Sequence, residues 1–276
     1  MSLLSTYVPL RGKMTGPDAS PPLLFTVEFR RKMAELPIAD RREWLRSLAA
    51  SVRESPSLSL TQQLREVARG CRLELTRVIP EQLGTFDALH MKALVEVPRE
   101  TFVRPGDVDR SADDTPLPLD DDGLATVSAP HAYLLSFRLL ELRPRDRLVE
   151  LGTGSGYGAA LASFIVGPQG RVRTFEIDRR LADIASRNVA NLPNVAALSG
   201  DAMTSTPRWE GAGKVVVTFA VETLPPAWVN ALPEGGSLVA PVGPVGDQRL
   251  ERVRREGDRL VRTQHGCVRY VPNRSR

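Results

Sequence analysis

The sequence predicts a doubly wound α/β sheet carrying an all-helical extension at its amino end. Three observations predict it. Beyond Arg147, short apolar runs alternate with helical patterns, as in a parallel sheet covered on both faces. A glycine-rich loop joins the first such run to the first such helix, where an open α/β sheet binds its ligand. Residues ~26–79 instead keep helical spacing throughout.

The first ~20 residues hold Gly12, Gly16 and Pro17, show little periodicity, and are expected to form a flexible leader. A short helical pattern over 27–36 closes at Pro37. Asp40 is placed to cap a second helix, with Trp44, Leu45, Leu48, Ala49 and Val52 on one face. Ser59 and Gln62 form a capping-box pair for a third, which carries Leu64, Val67, Cys71 and Leu75 and breaks at Pro80. These helices present apolar faces to something else in the chain or to a partner. The predicted division is a leader and helical extension over 1–83 and an α/β domain over 84–276.

Another helix is expected over 86–97, ended by Pro98, followed by an acidic loop with Asp107, Asp109, Asp113, Asp114 and Asp120 to Asp122. A calcium loop counted from Asp107 needs glycine at position 6 and glutamate at position 12. The chain has Ala112 and Pro118 there, so a solvated loop is expected. Strands follow over 147–151, 171–177, 195–199, 214–219 and 237–241, with helices over 157–166, 179–191 and 224–232. The carboxyl end is expected to form a hairpin over 249–255 and 259–264, with Gly257-Asp258 near its turn.

Composition sets outer limits. At 276 residues, 42% hydrophobic and 25% charged, the chain can bury a full core, and bulk disorder and fibrous classes are excluded. No stretch approaches the ~20 apolar residues of a membrane helix, and the amino end lacks a basic start and a cleavage pattern. Cys71 and Cys267 are too few for a disulfide framework or a zinc cage, so a cytoplasmic location is expected. The net charge of +4 is concentrated at the end, where nine arginines face three acids from Arg249 onward. Only Tyr270 adds an aromatic ring there, so the tail is expected to be a solvated strand pair and not a nucleic-acid surface.

The run Leu148-Val149-Glu150-Leu151-Gly152-Thr153-Gly154-Ser155-Gly156-Tyr157 carries the chemistry. A strand enters, three glycines turn the chain with close backbone approach, and a helix leaves. Tyr157 stands at the sixth position, which breaks the dinucleotide fingerprint. Glu150 would repel a pyrophosphate but suit an amino group or a sulfonium. The loop therefore points away from a nicotinamide cofactor and toward S-adenosyl-L-methionine. Glu176, ending the second strand, is placed to accept ribose hydroxyls, and Asp201, after the third, to receive an adenine amino group.

With these motifs in view, residues ~85–272 resemble the protein-L-isoaspartate O-methyltransferase family. The resemblance rests on Val97-Pro98-Arg99-Glu100-Thr101-Phe102-Val103, Thr126-Val127-Ser128-Ala129-Pro130-His131, the glycine loop, Pro241-Val242-Gly243-Pro244 and Tyr270-Val271-Pro272. It implies the Rossmann-like class I methyltransferase sheet and methyl transfer from S-adenosyl-L-methionine to the carboxylate of isoaspartyl residues, with repair through a succinimide. Ser128 matches the family's catalytic serine. The implied cofactor positions are Thr126, Val127, Ser128, Glu150, Gly152, Thr153, Gly154, Ser155, Gly156, Glu176, Asp201 and Ala202. Ser128, Ala129 and His131 are the implied substrate positions. No metal is implied. Tyr133 stands where the family usually has a second histidine, and Ala202 where glycine is common. With little chain beyond Pro272, carboxyl-terminal cofactor contacts are expected to be missing. The implied partners are isoaspartyl proteins or peptides, without nucleic acid or membrane. Two alternatives stand beside repair: a carboxyl methyltransferase for one dedicated peptide precursor, and a non-catalytic cofactor-binding adaptor.

Overall fold

The computed structural model describes residues 30–274 apart from Lys32. The expected leader and the start of the first expected helix lie outside the described residues. Helix α1 (Ile38–Glu54) starts directly after Pro37, which fixes the entry angle, and Asp40 lies inside its first turn instead of capping it. Helix α2 (Leu58–Leu83) is capped by Ser57, whose hydroxyl accepts from Leu60 N–H at 3.2 Å. The expected Ser59–Gln62 box is therefore displaced by two residues. Nor does α2 break at Pro80. Leu75 and Ile79 are buried against Leu94 and Leu134, and this packing carries the helix one turn further, to Gly84. Helix α3 (Ala88–Glu96) is capped by Asp87 through Leu89 N–H at 2.7 Å.

The apolar faces of α1 and α2 meet each other around Leu45, Leu64 and Val67, and Ala112 of the following loop joins this cluster. Arg72 of α2 is buried with Glu100 in an ion pair, and its Nε donates to the Val95 carbonyl. The helical extension is thus bonded to the α/β part and not merely apposed to it.

A two-stranded ribbon, β1 (Leu117–Pro118) and β2 (Thr126–Val127), precedes helix α4 (Pro130–Leu139). The main sheet has seven strands in the order β5-β4-β3-β6-β7-β8-β9. Strands β3 (Arg147–Leu151), β4 (Arg171–Glu176), β5 (Val195–Ser199), β6 (Lys214–Val217) and β7 (Ser237–Val242) are parallel. Strands β8 (Gln248–Glu256) and β9 (Arg259–Val268) close one edge antiparallel. Helices α5 (Tyr157–Val166), α6 (Arg179–Asn188) and α7 (Pro226–Asn230) connect the parallel strands. The chain runs outward from β3 in both directions, so the β3–β6 boundary is the switch point where such sheets open a cleft. The helix expected over 224–232 is only five residues long, because prolines flank it on both sides.

The acidic loop is not simply solvated. Asp113 pairs with Arg42, Asp114 with His131, Asp121 with Arg104 and Asp120 with Arg274. The arginines of the final hairpin are also partly structural. Arg255 donates to the Leu232 and Val229 carbonyls, and Arg252 pairs with Glu141 at 2.9 Å. Among the described residues no helix is long and apolar enough to cross a membrane.

Candidate active site

Strand β3 delivers the chain to the glycine loop at the switch point. Gly152 has φ +94°, and a Cβ there would lie 2.3 Å from the Thr218 hydroxyl oxygen, so only glycine fits. Thr218 in turn donates to the Gly152 carbonyl at 2.5 Å. The loop opens on a cleft of about 570 Å³, solvent mouth included, lined by Gly152, Gly154, Glu176, Ala202 and Phe219 among others. Glu176 ends β4, and one carboxylate oxygen accepts Gly154 N–H at 2.8 Å while the other accepts Asp178 N–H at 3.0 Å. Burial raises its pKa despite those bonds.

Glu150 departs from expectation. It is 1% exposed and does not line the cleft. Its carboxyl turns under the loop, where it accepts from the Thr174 hydroxyl at 2.7 Å and from the Ala159 N–H near the start of α5. The Thr153 hydroxyl extends this chain, 2.6 Å from that of Thr174. A Cβ on Gly158 would fall 2.0 Å from the Glu150 carboxyl, so that glycine makes room for it. Burial pushes Glu150 up to about 8, reinforced by the nearby Glu176 charge and opposed by the Thr174 and Ala159 bonds. At neutral pH it is largely protonated and braces the loop, rather than presenting the negative charge that the sequence suggested.

A second, larger cavity of about 1440 Å³ adjoins the first, and Thr126, Thr218 and Val271 line both. Ser128, Ala129 and His131 line this second cavity. Asp114 accepts from both the His131 backbone N–H at 2.9 Å and its Nδ1 at 3.0 Å, which places the ring proton on Nδ1 and a carboxylate at the start of α4. Burial would raise the Asp114 carboxyl, but the bonds from His131 outweigh it and hold it below its usual range. Arg99 lies beneath the cavity, fully buried, and donates to the carbonyls of Ser111, Asp113, Thr115, Val127 and Ser128. The Tyr133 hydroxyl accepts the Ser128 N–H at 3.3 Å.

The structure brings Thr126, Gly152, Gly154, Glu176 and Ala202 to the first cavity and Ser128, Ala129 and His131 to the second. Val127, Thr153, Ser155 and Gly156 stand behind the walls. Asp201 caps a short 3-10 turn through Met203 N–H at 2.8 Å and presents Ala202, not itself, to the cleft. Sequence reasoning assigned no site role to Arg99, Tyr133, Asp114 or Arg274. Tyr133 carried a signal, a polar group inside an apolar run, whereas Arg99 stands beside Pro98, Glu100 and Thr101 and carried only its place in the family motif. Arg274 carried none, and it corrects the expectation of missing carboxyl-terminal contacts. Val271 to Arg274 line the first cavity, and Arg274 pairs with Asp120 at 2.7 Å and Asp178 at 3.6 Å.

The first cavity fits a cationic nucleoside. Glycine at 152 leaves the loop backbone bare, Glu176 offers acceptor oxygens for hydroxyls, and Phe175, Ile177 and Phe219 supply apolar walls for a base. The sequence profile of the protein-L-isoaspartate(D-aspartate) O-methyltransferase family matches residues 81–276. The protein-L-isoaspartate O-methyltransferase of Pyrobaculum neutrophilum is 37% identical over 186 residues, covering 66% of this chain and 89% of its own. Protein-L-isoaspartate O-methyltransferase 1 of Geotalea uraniireducens is 38% identical over 193 residues, covering 68% and 86%. Among solved structures, a protein-L-isoaspartate O-methyltransferase matches with TM-score 0.67 at 28% identity, covering 74% of this chain and 66% of that one. A putative one from Plasmodium falciparum, in complex with S-adenosyl-L-homocysteine, matches with TM-score 0.64 at 20% identity, covering 75% and 98%, and shares the fold. The chain belongs to the protein-L-isoaspartate(D-aspartate) O-methyltransferase family.

Proposed function

We propose that this chain methylates the free carboxylate of L-isoaspartyl residues in proteins and peptides, the first step of their repair. The observation that carries this reading is the joining of two cavities at Thr126, Thr218 and Val271, with Ser128 two residues from that junction. S-adenosyl-L-methionine, when bound, supplies a methyl carbon on a cationic sulfur. The substrate carboxylate is already ionised at pH 7 and needs no general base. What the protein must supply is alignment and exclusion of water. Ser128 does the first: its hydroxyl hydrogen-bonds the carboxylate, while Arg99 and Tyr133 hold its backbone from either side. His131, held by Asp114, presents its other ring nitrogen to the substrate groove. Glu176 holds the nucleoside, and Val271 to Arg274 limit the mouth of its cleft.

The ester leaves the enzyme. The following backbone nitrogen attacks its carbonyl, methanol departs, and the succinimide hydrolyses to aspartate or isoaspartate. The catalytic domain is placed at 84–276 and the extension at 1–83, supported by the end of α2 at Leu83. Both cysteines are free thiols, which supports a reducing, cytoplasmic setting. Mass spectrometry of an isoaspartyl peptide incubated with enzyme and cofactor tests the reading. Ester followed by succinimide is expected, and an unchanged peptide overturns it.

A further inference from the structure

Helix α1 and α2 up to Pro80 lie outside the family match, yet they touch the substrate side of the site at three neighbouring places. Arg72 of α2 forms its buried pair with Glu100, the residue next to Arg99. Ala112 is buried in the apolar cluster of α1 and α2. Arg42 of α1 pairs with the Asp113 carboxylate. Asp113 has a second role, because its backbone carbonyl accepts from Arg99 at 2.8 Å. The next residue, Asp114, holds His131. The side chain of Asp113 thus faces the extension, while its backbone and its neighbour face the groove.

We propose that Arg42 is a positioning residue for the substrate groove, holding the 111–114 turn where Arg99 grips Ser128 and Asp114 grips His131. The identity of the substrate rests on the function proposed above. Packing alone would make the extension a passive support, with any weakened contact in it acting equally. A positioning role instead singles out the one ion pair that, among the described residues, joins the extension to the turn. The cofactor cleft lies on the other side of Thr126 and makes no contact with Arg42. Arg42 therefore acts on peptide affinity and not on cofactor affinity.

The test uses the full chain with Arg42→Ala, Arg42→Lys and Arg30→Ala. Arg30 pairs with Glu66 at 2.7 Å inside the extension and serves as the control for passive support. Arg42→Ala should raise KM for an isoaspartyl peptide by about two- to fivefold, leaving affinity for S-adenosyl-L-homocysteine unchanged. Hydrogen exchange should quicken over residues 111–131 and stay constant in β3 and β4. Arg42→Lys should recover most of the loss, and Arg30→Ala should match the wild type. An Arg42→Ala protein with wild-type KM and wild-type exchange overturns the proposal, as does an Arg30→Ala protein with equal damage. Wild-type enzyme that methylates no isoaspartyl peptide defeats the functional reading instead, and the exchange data then decide the positioning claim alone.

Discussion

The Arg99 guanidinium donates to the Ser128 carbonyl at 3.2 Å, and the same NH2 group reaches Thr115 at 2.7 Å. One buried side chain therefore ties the strand that presents Ser128 to the loop that presents Asp114. Its charge is satisfied by carbonyl dipoles in a planar fork that lysine cannot reproduce. Arg99→Lys should lower kcat/KM at least about tenfold and lower the melting temperature, because buried acceptors lose their donor. Steady-state kinetics with a thermal melt check this; a variant within twofold of wild type refutes it.

Tyr133 gives Ser128 its other constraint. The ring is buried edge-on to Tyr157, with centroids 5.5 Å apart, so Tyr133→Phe keeps the packing and removes only the hydroxyl. The Ser128 N–H then loses its acceptor, at a cost of about 1 kcal/mol. The expected result is a several-fold loss in kcat/KM with unchanged binding of S-adenosyl-L-homocysteine, read by kinetics and calorimetry.

Glu150 makes stability depend on pH. The folded protein holds its proton up to about 8, against an ordinary value of 4.5 in the unfolded chain. The folded state thus binds the extra proton between those values. Its contribution is complete below about 4.5 and is lost as pH rises toward and through about 8. Glu150→Gln imitates the protonated form and should flatten the fall in melting temperature between pH 5 and 9. Parallel curves for the two proteins would refute the assignment.

Arg274 fastens the carboxyl-terminal residues across the nucleoside cleft through Asp120 and Asp178. Arg274→Ala should weaken S-adenosyl-L-homocysteine binding about two- to fivefold, the effect expected of a partly exposed pair. The difference should shrink as salt is raised. Calorimetric titration at two salt concentrations checks both statements.

Much of this fold was legible because parallel strands buried on both faces write themselves as apolar runs. Strand β3 and helix α5 begin and end where the sequence placed them, as does β5, although it is an edge strand and only half-buried. Some misreadings are local, as where Ser57 and not Ser59 caps α2 and prolines shorten α7, and the others come from tertiary contact overriding local signals. Pro80 does not stop α2, because Ile79 is locked into a core beside Leu94. Glu150 sits beside the glycine loop in sequence but points beneath it, and only Gly158, on the following helix, reveals the space it fills. The acidic loop looked solvated because its partners, Arg42 and Arg274, lie 71 and 154 residues away in the chain. Ser128 was found through a motif, but the Arg99 grip behind it needed three dimensions.

On the proposed function, the two joined cavities direct a methyl group to an isoaspartyl carboxylate held by Ser128. Labelled methyl transfer to matched peptides containing isoaspartate or aspartate, with wild type and Ser128→Ala, tests it most directly. Base-labile label is expected on the isoaspartyl peptide alone, sharply reduced in Ser128→Ala while S-adenosyl-L-homocysteine still binds. Equal label on both peptides, or none on either from a protein that binds the nucleoside, would contradict it.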